Sequence, residues 1–520
     1  MVLARRPWLR SLLCTIALVL APAAAQAKPS TQVDWRVAAS DADVDRAFEQ
    51  ARKQGKPVLL YWGATWCPPC NQLKATLFNR QDFAAASRSF VAVHVDGDKP
   101  GAQKLGSRFK VSGYPSVVLF HGNGQEITRL PGEVEPEQLM ALLQLGMAGG
   151  RPVKAVLADA RADKTLSAGE WRMLAFYAWN LDEQRLVAKG ELPGLLAELA
   201  TKAPATDADT STRLWLRALA ASNGSQGLKP DDALRVRVAR VLADPAVARR
   251  HADVLSNHAD DIVRALEDEG SPGRDALLTA FDGVLRRLQA DATLSRGDRM
   301  GALIARVALA RLDLPKDDVR TPVSESLRRD VSEMAARQDR EITDAYERQS
   351  VITAAEYAVR EAGLWEESAA RREANLESSQ STYYLMSQLG SNARKLGKTD
   401  EALSWYEQAW RQSVGPATRL QWGASYLTAL VDLAPGQARR IERTAAALIE
   451  EAGKDAGAFD GRSARSLQRV SKKLLAWNVK GEHDATLKRL RAQLDPVCGR
   501  IAAPSDDRAA CQALLAPAAG

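Results

Sequence analysis

Apolar positions recur with different periods along this chain, and the change of period divides it. From Asp41 to Gln54 the segment is polar except at Val44, Ala47, Phe48 and Ala51, the spacing of one helix face, and the Gly55–Pro57 stretch ends it. Val58 to Trp62 is a short unbroken apolar run, which predicts a buried strand. A helix is expected from about Cys67 to Asn79, a second strand over Phe90 to Val95, and a short helix over Ala102 to Phe109. The stretch GYPSVVLFHGNGQEITRLPG, from Gly113, reads as a β-hairpin around a Gly-Asn-Gly turn. Pro136 to Met147 reads as a closing amphipathic helix with proline at its start. Strands alternating with helices, then a hairpin and a helix, make an α/β layered order.

Past GMAGGRP (146–152) the period-2 signal stops. Ala, Leu, Arg, Glu and Asp dominate, and Trp171, Leu174, Ala175 and Ala178 mark one helical face. Similar runs continue to about residue 490, broken by NGSQGLKPDD (223–232) and EGSPGRD (269–275), so this region is expected to be all-α.

The first residues have another pattern. Arg5, Arg6 and Arg10 precede an apolar run from Ser11 to Leu20, and small residues follow at Ala25 and Ala27. That is the layout of a cleavable export signal, with cleavage expected after Ala27; an uncleaved anchor is the alternative, for which the apolar run is short. Cys14 would leave with the signal. Net charge is +7 over 520 residues, and losing three arginines lowers it to +4, too weak a balance for a nucleic-acid protein. The signal's bacterial style points to the periplasm.

Export leaves Cys67, Cys70, Cys498 and Cys511, an even number that in an oxidising compartment favours two disulfides. Cys67 and Cys70 sit in YWGATWCPPCNQL, after a strand and at the start of a helix. A structural bridge across so short a loop would restrain almost nothing. Zinc needs two more ligands, and His94, His121, His251, His258 and His483 show no matching spacing, so neither metal nor cofactor is expected. His94 reads as a core or edge residue of its strand, and His251 and His258 as surface residues. Cys498 and Cys511, thirteen apart around Gly, Pro, Ser and Asp, suit a structural staple; closing such a loop stabilises by roughly 3 kcal/mol. A second redox centre or free thiols are the alternatives.

Trp66-Cys67-Pro68-Pro69-Cys70, Tyr114-Pro115 some 45 residues later, and PGE before the last helix occur in the order of a known family. The segment from Lys56 to Leu145, about a fifth of the chain, resembles a thioredoxin fold. Its likeness is to the periplasmic C-terminal domain of the transmembrane thiol:disulfide interchange protein. At the start of a helix, unpaired N–H groups and the helix dipole stabilise a thiolate, so Cys67 should attack and Cys70 should resolve the mixed disulfide. Pro68 and Pro69 stiffen the first turn, where a missing N–H costs little. Trp62 and Trp66 would supply an apolar rim, and Gly113 and Gly132 would let a client chain come close. The resemblance implies that the Tyr114–Pro115 bond is cis, that it faces the sulfurs, and that the Tyr114 backbone pairs with a client strand. Two positions depart from the family. Many relatives carry an acid six residues before the first cysteine, where this chain has Tyr61, and some carry a carboxylate where it has Lys74. Lys74 would favour thiolate if it pointed at the sulfurs; the expectation is that it points to solvent.

In the helical region, Leu389, Gly390, Gly397, Ala402, Tyr406 and Ala409 fall at positions resembling a tetratricopeptide repeat, and Gly363 matches Gly397 at a 34-residue offset. The expected organisation is an export signal (1–27), an α/β thioredoxin-like domain (28–148), a linker (149–165), and an all-α, α-solenoid-like domain (166–495). Tetratricopeptide-like units fall around 350–450, and a disulfide-closed segment (496–520) ends the chain. The expected function is a periplasmic thiol–disulfide oxidoreductase reducing exported client proteins. A membrane thiol:disulfide donor would supply electrons, and the helices would hold clients or partners or serve as plain scaffold. An oxidase or isomerase with chaperone activity, and an interaction scaffold, are the alternatives.

Overall fold

The computed structural model describes residues 32–111, 113–182, 186–315, 318–319 and 323–516. The expected signal segment and Cys14 lie outside them. Among the described residues no helix is long and apolar enough to cross a membrane.

Five strands form one sheet in the order β1-β3-β2-β4-β5: β1 (Arg36–Ala38), β2 (Val58–Gly63), β3 (Val91–Asp96), β4 (Ser116–Phe120) and β5 (Glu126–Leu130). β3 runs parallel to both β1 and β2, and β4 is antiparallel to β2 and to β5. The helices are α1 (Asp41–Gln54), α2 (Pro68–Leu73), α3 (Gln81–Ala86), α4 (Ala102–Phe109) and α5 (Pro136–Met147), with α2 continued by a π-helical turn over Lys74–Phe78. This is the thioredoxin-like layered sheet, and the expected elements are present within one or two residues. β1 and α3 were missed: β1, at three residues with Arg36 and Val37 exposed, and α3, at six residues, are too short for a period to show.

Central β2 is buried on both faces, which explains its unbroken apolar run. Its residues alternate between two layers. Val58, Leu60 and Trp62 pack with Val44, Phe48, Leu105 and Phe109 of α1 and α4. Leu59 and Tyr61 pack with Leu73, Leu77 and Phe78 beyond the cysteines and with Leu139 and Leu143 of α5. α1 starts on a capping box, Ser40 with Asp43, and stops at Gly55, whose φ of 63° suits the left-handed cap.

An all-helical region follows. The expected linker over 149–165 is corrected. It contains the helix Val153–Arg161, whose Val153, Val156, Leu157 and Ala160 share one core with the sheet and with the helices Ala168–Ala175 and Leu192–Lys202. The sheet's apolar face needed more cover than α5 provides, and this helix supplies it. Arg129 on β5 seals the junction. Buried and paired with Glu126 at 3.0 Å, it donates to the carbonyls of Lys110 at 2.7 Å and Leu181 at 3.0 Å.

Farther on, the helices Thr382–Lys395 and Thr399–Gln412 pack against each other, as do Pro416–Leu433 and Ala438–Ala452. At Gly390 a β-carbon would lie 3.0 Å from the Tyr406 ring, so the first pair's close approach depends on that glycine. Cys498, in the helix Asp484–Gly499, is bonded to Cys511, in the helix Asp506–Ala513, with α-carbons 5.6 Å apart.

Candidate active site

Cys67 is the N-cap of α2, and its sulfur accepts the backbone N–H of Cys70 at 3.3 Å. Pro68 and Pro69 carry no N–H, so the helix start gives the first sulfur this one backbone donor together with the positive end of the helix dipole. Pro68 and Pro69 occupy the first turn. Cys67 and Cys70 are disulfide-bonded, with α-carbons 5.3 Å apart. Asn71, which the sequence reading missed, holds the motif: fully buried, its amide donates to the carbonyls of Thr65 at 2.8 Å and Cys67 at 2.9 Å. An Asn just after a CxxC carries no signal by itself.

The Tyr114–Pro115 bond is cis. Tyr114 lies over Trp62, rings 6.4 Å apart, and meets Trp66 edge-on at 6.3 Å. Its hydroxyl accepts from Gln103 at 2.7 Å. Gly132 lets its loop reach Pro115, because a β-carbon there would sit 2.9 Å from the proline ring. Gly113 faces Leu181 instead, which its β-carbon would approach to 3.3 Å. The expected approach of a client at Gly113 is therefore taken by the chain's own helical region.

The same region covers the cysteines. Cys67 is only 3% exposed. Trp62 is a core residue, and Trp66 does not form an open rim: it stacks on Tyr384 and meets Trp422 edge-on at 5.7 Å. Gln349 donates to the Trp66 carbonyl at 3.2 Å. Asp98, just beyond β3, forms an ion pair with Arg462 and accepts from Thr418. Burial pushes the Asp98 carboxyl up, and the Arg462 charge opposes that shift. Asp455 accepts the backbone N–H of Gly101 at 2.8 Å. Two cavities remain. One of about 350 Å³ is lined by Cys67, Trp66, Tyr114, Tyr384, Arg462 and Arg465. The other, about 300 Å³, lies between Pro115 and Gly132 and the helical residues Arg213, Asp253 and Asp298.

Tyr61 and Lys74 lie together on the other face. Tyr61 stacks on His94, centroids 4.9 Å apart, and its buried hydroxyl finds no hydrogen-bond partner among the described residues. Burial, then the nearby Asp96, pushes Tyr61 up, so it stays protonated. Burial and then the Lys74 charge push His94 down to about 4, so it is neutral at pH 7. The expectation that Lys74 points to solvent is corrected. It is half-buried, its ammonium 5.2 Å from the centre of the Tyr346 ring, and burial lowers it while Asp96 works the other way. It also does not line the Cys67 cavity. The surface assignment of His251 is corrected too: 2% exposed, it is pushed down to about 4 by burial and then by Arg213. His258 is partly buried, 2.8 Å from Arg217. Among the described residues no group of His, Cys, Asp and Glu is arranged to hold a metal.

Comparison with known proteins agrees with this geometry. The thioredoxin-like domain family matches residues 44–146. Thioredoxin of Alicyclobacillus acidocaldarius is 35% identical over 102 residues, 19% of this chain and 90% of that protein. Thiol:disulfide interchange protein DsbD 1 of Pseudomonas aeruginosa is 29% identical over 120 residues, 22% of this chain and 20% of the relative. DsbD of Klebsiella pneumoniae is 31% identical over 140 residues, 24% of this chain and 22% of the relative. The chain belongs to the thioredoxin-like family through this domain. It spans about a fifth of the length of the DsbD proteins it matches. Family membership and the Cys67–Cys70 pair together support a thiol–disulfide oxidoreductase.

Proposed function

We propose that this protein is an exported thiol–disulfide oxidoreductase of the periplasm that reduces disulfides in client proteins. The observation that carries the reading is the Cys67 sulfur seated at the start of α2, accepting the Cys70 N–H. In the reduced protein the Cys67 thiolate attacks one client sulfur. The client S–S bond breaks, one client thiolate leaves, and a mixed disulfide forms. The Cys70 thiolate then attacks the Cys67 sulfur, the second client thiolate leaves, and the Cys67–Cys70 bond closes. Two electrons pass to the client, whose thiolates take up protons from water. A membrane dithiol donor would reduce the pair again; the likeness to interchange proteins supports that partner. Pro115 and the Tyr114 backbone would hold the client strand, and Trp66, Pro68 and Pro69 shape the entrance. Cys498–Cys511 is a structural staple.

The test is Cys70→Ala in the full chain, exported in a bacterial host. Mixed disulfides on Cys67 that vanish with reductant are the expected result, and no trapped protein under any redox condition would overturn the reading. Helices cover Cys67, so not every disulfide can reach it, and clients would be selected by access.

A further inference from the structure

The helix Gly461–Trp477 belongs to the last third of the chain, yet its second residue reaches the redox site. The backbone N–H of Arg462 donates to the Gln103 side-chain oxygen at 2.9 Å, and the same Gln103 amide donates to the Tyr114 hydroxyl at 2.7 Å. The Arg462 guanidinium carbon lies 5.1 Å from the centre of the Trp66 ring and 5.3 Å from that of Tyr114. Gln421, Thr418 and Asp98 accept its terminal N–H groups, while its buried Nε has no partner among the described residues. Arg462 and Cys67 line one cavity.

We propose that Arg462 is a positioning residue of the redox site. It clamps Trp66 and Tyr114, which flank Cys67 and the cis-proline, and its charge favours the thiolate of reduced Cys67. The proposal rests on Cys67 being the attacking thiol. The two rings stand 85° apart, so the guanidinium lies parallel to at most one of them, but its charge sits within cation–π reach of both while its N–H groups donate to Gln421, Thr418 and Asp98. A cation beside a thiol stabilises the thiolate, and exclusion of water strengthens that effect. Burial works in the opposite direction, since it disfavours the charged form. The other ionisable groups facing this side are Tyr114, Tyr384 and Arg465, with Asp98 behind Arg462. Across α2, Asp298 accepts from Gln72 at 3.4 Å, and Lys74 lies over Tyr346.

The two effects give opposite signs when Arg462 is removed. Loss of the charge raises the pH at which Cys67 ionises, whereas mere opening of the cover hydrates the sulfur and lowers it. The experiment uses the full chain with Cys70→Ser and the Cys498–Cys511 bond intact, so that Cys67 is the sole free thiol of the mature chain. Its ionisation is followed by the pH dependence of iodoacetamide alkylation. Arg462→Ala is expected to raise the midpoint by about one pH unit, on the order of tenfold in thiolate fraction at neutral pH. Arg462→Lys should fall between. A folded Arg462→Ala protein with an unchanged or lowered midpoint overturns the proposal. If that variant does not fold, Asp98→Asn keeps the cation and removes its counter-charge. A lowered midpoint is then expected, and a raised or unchanged one overturns the proposal. The titration reads the thiol whether or not clients are reduced, so a negative Cys70→Ala trapping result would count against the oxidoreductase reading alone.

Discussion

Trp66, the residue before the attacking sulfur, stacks on Tyr384 of the helical region with ring centroids 5.9 Å apart and planes 19° from parallel. The cluster that Trp66 joins contains Tyr383, Met386 and Trp422, so the helical region packs on the chain's own redox loop. Access to Cys67 therefore depends on contacts made far away in sequence.

Tyr384→Ala should loosen that cover. Stacked aromatic rings and their burial make the expected loss of stability roughly 1–3 kcal/mol. The more direct measurement is the alkylation rate of reduced Cys67, expected to rise several-fold over the unmodified chain. An unchanged rate would mean that Trp66 and Tyr384 do not limit access.

Tyr61→Phe should leave disulfide exchange within a factor of two of the parent in an insulin reduction assay. Among the described residues the hydroxyl has no partner, and it stays protonated, so it has no proton to trade at neutral pH. Removing a buried, unpaired hydroxyl is neutral or slightly stabilising. A large loss of rate would show that the hydroxyl serves the reaction after all.

His251 should make the protein sensitive to acid. Its folded pKa, about 4, lies below its ordinary value of 6.5. Between those values the unfolded chain binds a proton that the folded chain does not, so stability falls as pH drops from 6.5 towards 4 and is fully present above 6.5. A shift of this size corresponds to about 3 kcal/mol. Urea unfolding of His251→Gln across this range should show a shallower fall than the parent, and equal slopes would rule His251 out as the cause.

Replacing Cys498 and Cys511 together by Ser should cost about 3 kcal/mol in urea unfolding, the estimate for a loop of this length. The Cys67–Cys70 exchange should be unaffected. If exchange slowed while stability held, the second pair would be a redox centre and not a staple.

Local patterns were legible where one segment's own period decided its structure. α1, α4 and α5 matched their expected bounds because each shows a clean face to one sheet layer. The CxxC and its helix start are equally local. What depends on distant packing was hidden. No local pattern tells that Val153–Arg161 closes the sheet's core, that His251 is buried, or that Lys74 lies over the Tyr346 ring. Arg462 is one arginine among many in a helical run, and only the fold brings it to Trp66.

The most direct measurement is the redox equilibrium of Cys67–Cys70 in a thiol buffer, with Cys498 and Cys511 replaced by Ser. A single two-electron transition is expected, nearer about −270 mV, typical of thioredoxin, than about −120 mV, typical of a strong oxidant. A transition near the oxidising end would contradict the reducing direction, and no reversible transition would contradict a redox function altogether.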